Sequence, residues 1–151
     1  MTDHLKLIRI KLEHLARMRE YLSFSLSQIE PVLLADWKAL GPDQHESLAA
    51  FRVRFSEFQE HLGKTMRAVA MEEEQDVERF GAVLAFMERL RVIDSVEQWK
   101  LIRELRNAVN HGYEDDTARL AEFFELMAKE TATLFEYFIR LQQHCVTAYG
   151  F

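Results

Sequence analysis

From Asp3 to Ile29, apolar side chains recur at Leu5, Ile8, Leu12, Leu15, Leu22, Leu26 and Ile29, three or four positions apart except where Arg19 interrupts. That spacing is the repeat of a helix with one face turned to a core. Pro31 cannot continue such a helix and ends it. Arg17, Arg19 and Glu20 fall on its solvated side. Val32 to Leu40 predicts a short further helix before Gly41-Pro42. Between His45 and Met71 the stripe returns as Leu48, Phe51, Phe55, Phe58, Leu62, Met66 and Val69. An aromatic stripe at helical spacing is read as bundle core rather than as a ligand pocket.

Glu72-Glu73-Glu74 marks a junction, its acidic residues favouring the start of the next helix because that end of a helix is electropositive. Val77, Phe80, Val83, Leu84, Met87 and Leu90 give a shorter helix. Another runs from Ser95 to Asn110, capped by Asp94, with Glu97 three residues on, or by Ser95. Leu120, Phe124, Met127, Thr131, Leu134, Phe138, Leu141 and Cys145 mark a last helix of about eight turns. No linker, repeat or low-complexity tract divides the chain. The expectation is a single domain over 1–151, all-α, an up-and-down bundle of four long helices plus a short additional helix.

Composition narrows this further. Five glycines and two prolines in 151 residues leave few breakers, which favours long helices over a turn-rich β fold. Cys145 is the single cysteine, so neither an internal disulfide nor a cysteine metal cluster is available. Nothing reads as a signal peptide, and no apolar run approaches the ~20 residues that span a membrane. A cytoplasmic protein is expected. The net charge of −6 argues against a protein that coats nucleic acid, which presents a broad basic face. One local basic cleft remains compatible with it.

The chemistry concentrates in Arg106-Asn107-Ala108-Val109-Asn110-His111-Gly112-Tyr113, followed by Glu114-Asp115-Asp116. Trp99, Ile102, Arg106 and Val109 share a helical phase, which sets a guanidinium in line with an apolar stripe. Burying that charge unpaired is costly, so Arg106 must lean to an edge, meet a partner subunit or serve a site. Asn107 and His111 share one edge of the helix, Arg106 and Asn110 the next. Gly112 suits a left-handed helix stop. His111 with the acidic cluster imitates a hard-metal site, but an acidic N-terminus for the last helix explains those residues better. No histidine has Glu three positions before it, and HExxH, P-loop and dinucleotide-turn motifs are absent from the sequence. No metal and no cofactor are expected.

Arg106, Asn107, His111 and Tyr113 together resemble the R-x4-6-H-x-Y signature of the HEPN superfamily, in particular its HepT-like toxins, paired with minimal nucleotidyltransferase (MNT) antitoxins. The resemblance implies a HEPN-like helical domain and a metal-independent endoribonuclease with Arg106 and His111 as catalytic residues. It also implies a homodimer with the cleft along its seam, and a cognate MNT partner that transfers AMP from ATP to Tyr113. The chemistry is coherent. RNA brings its own nucleophile, the 2′-hydroxyl beside the scissile phosphate. His111 can take that proton or give one to the departing 5′-oxygen, since an ordinary histidine pKa of about 6.5 suits either task. Arg106 can hold the phosphate through two parallel N–H bonds and stabilise the charge of the pentacovalent state. Asn107 can orient the imidazole or the ribose, Asn110 supports the same turn, and Tyr113 can bond the phosphate or stack on a base.

In a continuous helix Arg106 and His111 point about 140° apart, so one chain offers only part of a cleft and a two-fold pair of motif helices completes it. Apolar Trp99, Ile102, Leu105 and Val109 spread beyond one stripe and suggest a face for that partner. Arg52, Arg54, Lys64 and Arg67 are further candidates for phosphate contacts; His61 reads as a surface residue. Two other readings stand beside the ribonuclease. One is a non-catalytic HEPN subunit that binds a nucleotide or the partner enzyme, and the other is a helical adaptor whose motif is coincidental.

Overall fold

The structure is a computed structural model that describes residues 1–32, 34–110 and 116–151. These residues form five α-helices: α1 (Asp3–Ile29), α2 (Pro42–Glu72), α3 (Phe80–Arg89), α4 (Val96–Asn110) and α5 (Thr117–Tyr149), with a 3-10 segment at Leu34–Ala39 between the first two. Among the described residues there is no strand.

Side-chain pairs give the directions. On α1 and α2, His4 meets Glu72, His14 meets His61 and Arg54 lies over Tyr21, so these helices run antiparallel. Phe51 lies against Phe124, Phe58 against Phe135, and Glu73 against His144, so α2 and α5 run the same way. Gly63 faces Trp99 and Gln59 bonds Arg106, which sets α4 antiparallel to α2. The long helices therefore alternate up and down, as the sequence pattern predicts.

The apolar stripes make one continuous core. Phe51, Phe55, Phe58, Leu62 and Met66 of α2 are fully buried, as are Ile8, Leu15 and Leu22 of α1 and Leu134 and Leu141 of α5. Phe58 sits edge-on to Phe135 and Phe138, with ring centroids 5.4 and 5.9 Å away. Each such side chain removed from water contributes roughly 1.5–3 kcal/mol. None of the described helices is long and apolar enough to cross a membrane.

The helix ends refine the boundaries. Pro42 occupies the first turn of α2, where its missing N–H costs nothing, so the helix starts before His45. Ser95, not Asp94, caps α4: its Oγ accepts from Gln98 N at 3.0 Å, and Glu88 Oε2 accepts from Val96 N at 2.7 Å. Asp94 is drawn away by Arg140, 2.7 Å distant. Asp116 caps α5 through Arg119 N at 3.0 Å.

The acidic triplet departs from expectation. It closes α2 instead of opening the next helix, and α3 begins only at Phe80. Carboxylates at a helix C-terminus meet the negative end of the dipole, so they need other partners. Glu72 Oε2 lies 2.7 Å from His4 Nδ1; Glu73 Oε2 lies 2.8 Å from His144 Nε2 and accepts from Tyr149 OH at 3.1 Å. Glu74 then turns left-handed (φ 58°), with Glu74 N donating to Met71 O and Gln75 N to Ala70 O. Arg91 (φ 60°) stops α3 by the same pattern. Both are helix stops of the kind glycine usually supplies. Asp76 Oδ1 accepts from Glu78 N and holds Val77 out of the helix that its period suggests.

Candidate functional site

Because α2 and α4 run antiparallel, their facing residues form a groove. Gln59, Gly63 and Arg67 follow one another at four-residue steps along α2; Trp99, Arg103 and Arg106 follow along α4. Together with Glu60, Lys64 and Phe80 they enclose a cleft of about 160 Å³. Gly63 makes the close approach possible. A Cβ there would lie 3.3 Å from both the Phe80 ring and Trp99 Cζ2.

Arg106 sits half-buried at this cleft, at the edge its helical phase demands, while Trp99, Ile102 and Val109 go into the core. Its Nη1 donates to Gln59 Oε1 at 2.7 Å and its Nη2 to Asn107 Oδ1 at 3.2 Å. Gln59 is 3% exposed, and a hydrogen bond from a charged group to such a buried acceptor contributes roughly 1.5–3 kcal/mol. Both acceptors are neutral amides. They orient the guanidinium without cancelling its charge.

The surroundings reinforce that charge. Among the described residues, Lys64, Arg67, Arg103 and Arg106 line the cleft against one carboxylate, Glu60, an excess of three positive charges there in a chain of net −6. Glu60 lies 3.3 Å from Lys64, with both side chains more than half exposed, so this pair contributes little. Arg67 is stacked over Phe80, its Cζ 5.2 Å from the ring centroid.

The other residues singled out by sequence are distributed as follows. Asn107 is exposed and holds Arg106. Asn110 is the last residue of α4. His111, Gly112, Tyr113, Glu114 and Asp115 lie outside the described residues. Lys64 and Arg67 join the cleft, but Arg52 lines a neighbouring pocket with Trp37, His45 and Val109. Arg54 stacks on Tyr21 at 5.0 Å. His61 packs against His14 at 5.3 Å, and burial, then the charge of Lys64, holds its pKa below the usual histidine value. Trp99, Ile102, Leu105 and Val109 are all buried within their own chain, so they leave no surplus for another subunit; Leu101 is the large apolar residue that α4 exposes. Gln59 and Arg103 are the members that sequence reasoning missed. Arg103 had a signal, standing one turn before Arg106. Gln59 had none, since only the packing of α2 on α4 gives it a partner.

No family model, curated protein or solved structure matches this chain.

Proposed function

We propose that the protein is a HEPN-type, metal-independent endoribonuclease toxin, controlled by a partner nucleotidyltransferase. The observation that supports this reading is Arg106: an arginine held by two neutral amides in a basic cleft, about one turn before α4 ends at Asn110, next to His111 in the chain. Such a guanidinium is positioned for a phosphate and keeps its full charge for the transition state. In this reading His111 moves the proton between the 2′-hydroxyl and the 5′-oxygen. Arg106 stabilises the pentacovalent phosphorus, and Asn107, Asn110 and Tyr113 support RNA binding. AMP placed on Tyr113 brings negative charge to Arg106 and blocks the substrate phosphate. A homodimer would bring two motif segments together, and it should scatter light as about twice the 17.8 kDa chain.

The purified protein should cut RNA in the presence of EDTA, leaving 2′,3′-cyclic phosphate ends. Arg106→Ala and His111→Ala should each reduce the rate by roughly 10²–10³-fold or more while the far-ultraviolet spectrum stays helical. RNA bound but left uncut by the wild-type protein would instead favour the non-catalytic HEPN subunit. Full activity in both variants would end the proposal.

A further inference from the structure

We infer that the α2–α4 cleft contains a second anion subsite, between Arg67 and Arg103, which takes a phosphate group next to the one that Arg106 binds. Its assignment to the phosphate adjoining the scissile one rests on the ribonuclease reading; its existence as an anion site does not.

Arg67 has no hydrogen-bond or ion-pair partner among the described residues, and its Nε is buried without one. Stacking on Phe80 fixes the plane of the guanidinium but leaves its charge unanswered. Arg103, on the opposite wall, likewise meets no carboxylate among the described residues. Trp99, 1% exposed, closes the cleft wall, the Cζ2 edge of its ring facing Gly63, so its fluorescence is sensitive to what enters. Buried donors are almost always satisfied, so an unanswered guanidinium lining a cavity, with a second one across from it, points to an anionic ligand.

The chemistry favours phosphate over carboxylate. The donors here stand on two facing helices, Arg67 on α2 and Arg103 on α4, so they approach from opposite sides. A tetrahedral phosphate presents oxygens to each, and two guanidinium forks suit it well. A carboxylate offers two oxygens in one plane. Arg103 precedes Arg106 by three residues, a rise of about 4.5 Å, which puts the two phosphate positions side by side along α4.

Trp99 reports on the site once Trp37, the other tryptophan, is replaced by Phe. Its fluorescence should be titrated in the full chain with two probes, orthophosphate and a 2′-O-methyl oligoribonucleotide that cannot be cut. Arg67→Gln and Arg103→Gln should each weaken oligonucleotide binding by about tenfold and reduce the salt slope of binding by about 0.7, the value for one lost contact to a single strand. Arg54→Gln, stacked on Tyr21 away from the cleft, should change neither. Arg103 is exposed, so that variant tests the site even if replacing Arg67 unfolds the chain. An Arg67-dependent response to the oligonucleotide assigns the site to a nucleic-acid backbone; the same response to orthophosphate alone assigns it to a free phosphate. Binding and salt slope unchanged in both variants would overturn the subsite, even if RNA is cut. Arg67-dependent binding without any cleavage would keep the subsite and overturn the ribonuclease.

Discussion

At its C-terminal end α2 commits Glu72 and Glu73 to His4, His144 and Tyr149, while about one to four turns earlier it offers Gln59, Lys64 and Arg67 to a cleft whose arginines meet no acid among the described residues. The partners at the first place come from two other long helices, α1 and α5, and the result is a clamp. At the second place the orienting groups are neutral, and charge accumulates. A paired charge is spent on the fold, whereas an oriented, unpaired one is available to something that arrives from solution.

The sharpest way to break that contrast is Gln59→Glu. It keeps an oxygen for Arg106 but supplies the missing carboxylate. RNA binding or cleavage should fall by about 10–100-fold with little loss of stability, whereas Gln59→Ala, which removes the orientation and not the charge, should cost less activity. Equal losses in the two variants would mean that the neutrality of the amide is irrelevant.

At the clamp, Glu73→Ala should leave activity intact and lower stability by about 1–2 kcal/mol, because His144 and Tyr149 lose their shared partner. For a chain of this size that is a fall of roughly 2–8 °C in Tm. A variant that melts with the wild type would show the clamp to be ornamental.

Alkaline pH tests the same end. Burial, then the charge of Glu73, pushes the Cys145 thiol from 9.0 up to about 12 and raises the Tyr149 phenol above its usual 10.0. The folded chain thus keeps protons that the unfolded chain releases. The resulting stability is fully present below about pH 9 and is lost as pH rises through the folded values. Urea midpoints should be lower at about pH 10.5 than at about pH 8, and Tyr149→Phe should flatten the decline. A midpoint that rises with pH over this interval would contradict the arrangement.

The smallest effect concerns the backbone that ends the clamp. Glu74 holds a left-handed conformation that glycine adopts freely, so Glu74→Gly should stabilise by about 0.5–1 kcal/mol in a melting curve. A lower Tm would show that the Glu74 side chain does more than tolerate the turn.

Much of this was legible beforehand. The three-four stripes placed every long helix, and Phe51, Phe55 and Phe58 went where an aromatic stripe belongs. The phase of Arg106 against Trp99 and Val109 already required an edge, a partner subunit or a site. What the sequence hid depends on distant partners. The acidic triplet looked like a helix start because its relief, His4 and His144, stands 68 and 71 residues away. Gln59 lay beside the buried stripe as an ordinary polar residue, and its value appears only when Arg106, 47 residues later, packs across from it.

Gly63 puts stability and activity in competition. Within a 31-residue helix a glycine forfeits about 1 kcal/mol of intrinsic helix preference relative to alanine. Selection for thermal endurance alone would replace it. A methyl group there, however, presses on Phe80 and on Trp99, and Trp99 is rooted one turn before Arg103 and two before Arg106. Any gain in α2 is therefore transmitted as a lift of α4 away from Gln59. A sturdier descendant of this protein would inherit a wider, less ordered cleft unless Trp99 shrank in the same step.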